Sequence, residues 1–234
     1  MNKLLVLVGI IFLISVIVGL TRGFIKIAAS LASTIAIVVL VAFLTPHASG
    51  LVSKITLIED MAQRKGMEIL MLVPSEDVVI PEYTREEQIS LIENANLPEV
   101  FQQLLIENNN SEVYKALGVE NFGEYVGSYL AKTTANILSF LITLLVVTII
   151  VRTSIYVLGI ISELPIVGGV NRLAGGALGL GMGLIAVWIL FIVITLVYDT
   201  GIGEMCFESI AESEFLTILY ENNILMNYIM KFRA

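Results

Sequence analysis

Four long runs of apolar residues, interrupted by more polar segments, dominate the sequence. They cover residues 4–20, 27–45, about 135–151 and about 173–198. A hydrocarbon core of ~30 Å needs about 20 mostly apolar residues in an α-helix. The pattern therefore predicts an all-α integral membrane protein with four transmembrane helices.

The spacing of the runs predicts two pairs of membrane helices. Only residues 21–26 separate the first two runs, which indicates a tight transmembrane hairpin within residues 1–45. No A-x-A-like cleavage site follows the first run, so we expect a retained helix rather than a signal peptide. The second pair lies within residues 133–198. The sequence does not fix the C-terminal end of its first helix, because apolar residues continue past Arg152.

The segment between the pairs, residues 46–132, carries signals for short helices. Thr84 and Glu87 have the spacing of a capping box. The stretch Asn96–Glu99 offers an asparagine N-cap followed by a proline and a glutamate. A third helix is expected to start at Asn121 and to continue into the membrane. We therefore predict a helical insertion rather than a solvated coil.

The last segment, residues 199–234, combines acidic residues with regularly spaced apolar ones. The apolar positions recur at helical spacing, which predicts an amphipathic C-terminal helix, in one piece or two. They are Phe207, Ile210, Phe215, Leu219, Leu225 and Ile229.

Composition supports a membrane protein, and the charge distribution excludes nucleic-acid binding. The chain is 57% hydrophobic and 15% charged, whereas soluble domains have about 45–50% apolar and about 25% charged residues. The formal net charge is −8, and residues 46–132 alone hold 14 acidic and 6 basic residues. No basic patch is present that could neutralise nucleic-acid phosphates.

Candidate chemistry is sparse. Cys206 is the only cysteine and His47 the only histidine, so neither an internal disulfide nor a converging set of metal ligands is expected. No G-x-S-x-G motif and no phosphate-binding loop is present. We expect no catalytic residues, no cofactor and no metal, and hence no enzymatic activity.

Basic residues near the helix ends predict the orientation. Arg22 and Lys26 lie in the first short connection, and Arg152 and Arg172 flank the second. Cytoplasmic connections carry an excess of Lys and Arg. We therefore expect both connections in the cytoplasm, and both termini and the insertion outside, although Lys3 favours the opposite orientation.

Glycines at a spacing of four residues mark the fourth helix. Gly175, Gly179 and Gly183 allow another backbone to approach closely within a membrane. The second helix has small residues at the same spacing, at Ala28, Ala32 and Ala36. The pattern is typical of packing inside one bundle, and it also allows a subunit interface or a moving helix.

Three arginines lie at or within the predicted membrane boundaries. Arg22, Arg152 and Arg172 fit interfacial anchors, but an ionisable group within a membrane also often marks a functional site. Glu163 is the one acid nearby in sequence that could pair with them. For Arg172 we expect a forked contact that holds the start of the fourth helix against the first hairpin near Arg22.

Two stretches resemble one known family. The first helix ends in Gly19-Leu20-Thr21-Arg22-Gly23-Phe24, and the fourth opens with Pro165, Gly168, Asn171, Arg172, Leu173, Gly175, Gly179 and Gly183. Both are similar to the CvpA (colicin V production protein) family of bacterial inner-membrane proteins. The insertion and the acidic C-terminal segment resemble members from low-GC Gram-positive bacteria, and the resemblance covers most of the chain.

The resemblance implies a role in toxin production or export and in envelope homeostasis and stress, with no assigned reaction. We expect a scaffold or accessory protein of the bacterial inner membrane. Its expected partners are the lipid bilayer and membrane or extracytoplasmic proteins. A homo-oligomer is allowed. The alternative is a small channel or transporter component that acts as an oligomer.

Overall fold

The computed structural model describes residues 2–52, 83–157 and 169–230. Glu163, Pro165, Gly168 and the side chain of His47 lie outside this part. The described residues form helices and no strand, which confirms the predicted all-α class for them. The helices are α1 Lys3–Arg22, α2 Phe24–Val52, α3 Arg85–Glu93, α4 Glu99–Glu107, α5 Ser111–Leu117, α6 Phe122–Val157, α7 Gly169–Leu196, α8 Gly201–Ala211, α9 Glu214–Glu221 and α10 Ile224–Met230.

Four helices are long and apolar enough to cross a membrane, as the hydropathy pattern predicts. The spans are Lys3–Arg22, Phe24–Pro46, Phe122–Ile155 and Gly169–Leu196. The chain is therefore a multi-pass membrane protein. One difference is local: the six-residue connection between the first two runs shrinks to a single non-helical residue, Gly23.

The chain forms two compact units. The first contains Met1–Thr45 and Phe140–Met226, and the second contains Pro46–Ser139 and Asn227–Ala234. Helix α6 contributes residues to both, since the boundary falls between Ser139 and Phe140.

The second unit has a core of its own, built on the first turns of α6. The Tyr125 hydroxyl donates to the Leu105 carbonyl oxygen at 2.7 Å, and the Tyr125 ring stacks on Tyr114 with centroids 4.8 Å apart. The buried apolar side chains around them are Ile92, Leu97, Phe101, Leu105, Val113, Phe122, Val126 and Tyr129. The insertion, as far as it is described, is thus a packed helical domain.

Two of the three predicted helix starts in the insertion are confirmed. Thr84 and Glu87 form a complete capping box, and the hydrogen bonds from Thr84 hold the pKa of the exposed Glu87 carboxyl below its usual range. The Asn121 side chain accepts from the Glu124 amide at 2.9 Å at the start of α6. Both starts are set by local sequence.

The predicted Asn96 cap is wrong. Helix α4 starts at Glu99, and Pro98 occupies its N-cap without a side-chain hydrogen bond. If Asn96 were the N-cap, Leu97 would have to be helical. The residue before a proline is sterically disfavoured in that conformation, which accounts for a helix that begins only after Pro98.

The C-terminal segment is three short helices rather than the one or two amphipathic helices predicted. New N-caps interrupt it: Ser213 Oγ accepts from the Leu216 amide at 3.5 Å, and Asn223 Oδ1 accepts from the Met226 amide at 3.0 Å. A side chain that caps a new helix also competes with continuation of the previous one.

Two polar contacts tie this segment to α7. The Tyr220 hydroxyl lies 3.0 Å from Thr195 Oγ1, and Asn223 Nδ2 donates to the Trp188 carbonyl oxygen at 3.0 Å. Thr195 and Asn223 are fully buried. Because a buried polar group without a partner is costly, these contacts fix where α9 ends on the membrane helix.

Candidate functional site

The backbones of α1 and α7 touch along a row of small residues. A Cβ atom added at Gly175 would overlap the Gly19 carbonyl oxygen and lie 2.7 Å from the Gly23 carbonyl carbon. One added at Gly179 would overlap the Ser15 carbonyl oxygen and lie 3.0 Å from its carbonyl carbon. Glycine is therefore required at these positions, because the neighbouring atoms belong to the backbone and cannot rotate away.

The partner of the glycine row is α1, whereas the sequence pattern pointed to small residues of α2. Ala32 and Ala36 are exposed, and a Cβ at Gly183 would lie 2.9 Å from Phe12 of α1. Each step of four residues up α7 is matched by a step of four down α1, so the two helices run antiparallel. The row Ser15, Gly19 and Gly23 is the small-residue pattern on α1 that sequence reasoning missed.

In the structure the glycine row packs inside one bundle. Gly175, Gly179 and Gly183 are all buried against α1 within one unit. Their face is occupied by the chain's own helix and is closed to a second copy of the protein.

Gly23 ends α1 and starts α2 at once. Its amide donates to the Gly19 carbonyl oxygen at 2.9 Å, and its carbonyl oxygen accepts from the Ile27 amide at 3.1 Å. Its backbone angles are φ 78° and ψ 165°, a region that is essentially restricted to glycine. The Arg22-Gly23-Phe24 stretch is therefore a one-residue reversal between two membrane helices.

Asn171 caps α2 from another helix. The first amides of a helix lack intrahelical acceptors, and Gly23 has no side chain with which to supply one. Asn171 Oδ1 accepts from the Ile25 amide at 3.3 Å, across 146 residues of sequence. A Cβ at Gly23 would overlap Asn171 Nδ2. The glycine thus makes room for the side chain that completes the turn.

Arg152 contacts two hydroxyls of α2. Its Nη2 donates to Thr34 Oγ1 at 3.0 Å, and its Nη1 donates to Ser30 Oγ at 3.4 Å. The arginine itself is exposed, whereas Ser30 is buried. This contact joins α2 to α6 in the same unit that contains the glycine row.

Residues 113–223 match a family model described as Colicin V production protein. The matched segment is slightly under half of the chain and runs from within α5 to the end of α9. Searches of curated proteins and of solved structures found no match.

The matched segment contains Asn171 and the glycine row, but not the Arg22-Gly23-Phe24 turn. The structure nevertheless joins the two: Asn171 and Gly175 of the matched segment lie directly on Gly23. The two stretches that carry the sequence resemblance therefore form one spatial cluster, which we call the hairpin cluster: Gly19, Gly23, Asn171 and Gly175.

The remaining motif residues lie around the hairpin cluster. Arg22, Phe24 and Arg172 are exposed. No hydrogen bond or ion pair of Arg172 is found among the described residues. The polar contact from the start of α7 to the Gly23 turn is made by its neighbour Asn171. Among those residues, no three His, Cys, Asp or Glu side chains converge as metal ligands.

We expect Arg172→Lys to be tolerated. An exposed cation at a helix end needs only to reach the membrane surface, and lysine does so as well as arginine. The free energy of unfolding in detergent should change by less than about 0.5 kcal/mol, and orientation should be unchanged. A loss of stability as large as that of Asn171→Ala, in the same assay, would show that the guanidinium makes a specific contact.

Proposed function

We propose that the whole chain is a CvpA-type (colicin V production protein) membrane protein of the low-GC Gram-positive kind. In this proposal it is a non-enzymatic scaffold that assists production or export of a peptide toxin and maintains the envelope. The hairpin cluster carries the proposal, because it unites the matched segment with the Arg22-Gly23-Phe24 turn that the family match leaves out.

The second unit is the proposed docking domain of the scaffold. Its described helices are packed on a core of their own, and their outer surface is acidic. Exposed carboxylates lie at Glu86, Glu93, Glu99, Glu107, Glu112 and Glu120. A partner with a basic surface would be attracted to this face, since complementary charge raises association rates and favours the correct partner.

The orientation in the bacterial inner membrane is part of the proposal. The two connections that we place in the cytoplasm are flanked by basic residues, namely Arg22, Lys26, Arg152 and Arg172. The insertion and both termini are then outside, where an exported toxin or an envelope protein would meet the acidic face.

Cysteine labelling tests the orientation. In a Cys206→Ser background, single cysteines at Ser111 and Glu212, both adjacent to exposed turns, should react with a membrane-impermeant thiol reagent in intact cells. A cysteine at Ser162, in the connection between α6 and α7, should react only after lysis. Labelling of Ser162 alone in intact cells would invert the proposed topology.

Complementation tests the scaffold role. A strain that lacks the gene should regain toxin export and resistance to envelope stress when it receives the wild-type gene. It should not regain them with a gene that encodes Gln at Glu93, Glu99, Glu107 and Glu112. The matched control carries Gln at Glu204, Glu208, Glu212 and Glu214, which removes equal charge from α8 and α9 and the turns beside them. Equal rescue by both variants, at equal protein levels, would contradict docking through the insertion.

The alternative is a small channel or transporter component, which the exposed Arg152 favours because cations in membrane helices often line pathways. Purified protein in liposomes should show no anion or peptide flux above that of empty liposomes if the scaffold proposal is correct. Flux that disappears with Arg152→Gln would favour the channel instead.

A further inference from the structure

Arg152 lies beside the interior of a membrane helix and not beside its end. Its two hydroxyl partners, Ser30 and Thr34, follow the first residue of α2, Phe24, by six and ten positions. At a rise of 1.5 Å per residue these positions are about 9 and 15 Å along the axis of α2. The guanidinium group therefore lies beside the second and third turns of α2, while Arg152 itself is only three residues before the end of its own span, Phe122–Ile155.

The charge of Arg152 is not neutralised by the described membrane helices. Its partners are neutral hydroxyls, and a guanidinium has five N–H donors, of which these contacts use two. Within the four candidate spans the one acid is Glu124, which lies 28 positions before Arg152 on the same helix, about 42 Å away. Near the end of a membrane span, a cation with spare N–H donors is stabilised by an anionic group at the headgroup level, since hydrocarbon solvates ions poorly.

A second cation lies on the same face of α2. Lys26 precedes Ser30 by four residues, one helical turn nearer the start of α2, and is half-buried. Residues four apart are neighbours on a helix surface. Lys26, Ser30 and Thr34 thus form a polar stripe on a largely apolar helix, with Arg152 beside Ser30 and Thr34.

The surroundings of this stripe are apolar and accessible. Ile35 of α2 is 49% exposed, and Ile149 and Ile150 of α6 are each 58% exposed. A free anion would gain nothing from these side chains, whereas acyl chains would cover them. A second copy of the chain would bring no carboxylate from its described spans except Glu124.

We infer that the groove between α2 and α6, lined by Lys26, Ser30, Thr34 and Arg152, binds the phosphate of an anionic phospholipid. Arg152 donates its remaining N–H groups to the phosphate oxygens, and Lys26 contacts the headgroup from the membrane surface. Basic sites between membrane helices bind anionic headgroups in this way, and charge-assisted hydrogen bonds to phosphate are among the strongest available.

The test is lipid titration of the purified full-length chain in neutral detergent, with bound lipid counted by native mass spectrometry. Phosphatidylglycerol should bind with one site of clearly higher affinity than phosphatidylcholine with the same acyl chains. Arg152→Gln should weaken phosphatidylglycerol binding about tenfold or more. Arg172→Gln, which removes the same charge from outside the Lys26, Ser30 and Thr34 stripe, should leave it about unchanged.

Two further samples keep the result interpretable if Arg152→Gln folds poorly. Lys26→Gln should weaken binding, and Ser30→Ala with Thr34→Val should also do so, because the guanidinium loses its fixed position. Equal phosphatidylglycerol binding by wild type and Arg152→Gln overturns the inference. The inference is also overturned if inorganic phosphate without lipid protects the protein from thermal unfolding as well as phosphatidylglycerol does. The same holds if phosphatidylcholine binds as tightly as phosphatidylglycerol.

Discussion

Gly175→Ala is expected to destabilise the membrane unit by about 2 kcal/mol, within the range for overpacking of a closely packed site. The added Cβ would overlap the Gly19 carbonyl oxygen and would lie 2.9 Å from the Gly23 Cα. Both neighbours are backbone, so the helices must separate. The free energy of unfolding in mixed micelles measures the effect, and Gly19→Ala should show a similar loss because the contact is mutual.

Gly181→Ala is the matched control on the same helix. Its Cβ would come no closer than 4.0 Å to Leu31, which is ordinary contact, and alanine favours a helix over glycine by up to about 1 kcal/mol. The control should therefore be neutral or slightly stabilising. If both alanine variants unfold alike, α1 and α7 are not in backbone contact at Gly175.

Gly23→Ala is expected to lower the free energy of unfolding by a similar amount, for two separable reasons. A side chain at φ 78° and ψ 165° is strained, which costs on the order of 1–3 kcal/mol. The new Cβ would also overlap Asn171 Nδ2 and displace the cap of α2. Detergent unfolding should show the combined loss.

A double-mutant cycle with Asn171→Ala separates the two reasons. Asn171→Ala alone removes the acceptor of the Ile25 amide, which should cost about 1–3 kcal/mol if that amide is left unsatisfied. In the Asn171→Ala background the Gly23→Ala change should cost less, because the side chain it overlaps is gone. Strictly additive losses would mean that backbone strain alone explains the glycine.

Hydropathy was sufficient to predict the four membrane helices, because each must satisfy its backbone hydrogen bonds within itself. Local side-chain caps were also predictable, as at Thr84 and Asn121. The failure at Asn96 came from giving the asparagine more weight than the proline two residues later, whose effect on Leu97 is steric.

The partner of the glycine row was not predictable from Gly175 and Gly179 alone. Small residues at four-residue spacing occur on both α1 and α2, and only the direction and register of packing select Gly19 over Ala32. Register depends on the reversal at Gly23, a single residue whose conformation is set by both helices it joins.

The cap that Asn171 supplies to α2 was not predictable from the sequence. A cap supplied from another helix leaves no local sequence signal, since donor and acceptor are far apart in the chain. For Arg152 the sequence indicated a possible functional site but not its neighbours, because Ser30 and Thr34 are about 120 residues away in the chain.

The capping of α2 by Asn171 has a consequence for biogenesis. The Ile25 amide and its acceptor are 146 residues apart, which ribosomes synthesise in about 7–30 s at ordinary elongation rates. During that interval the newly inserted hairpin lacks both its cap and the backbone surface of α7. The first pair of helices is therefore in the membrane before the Ile25 amide has its acceptor. The Gly23 turn is completed when the fourth helix inserts.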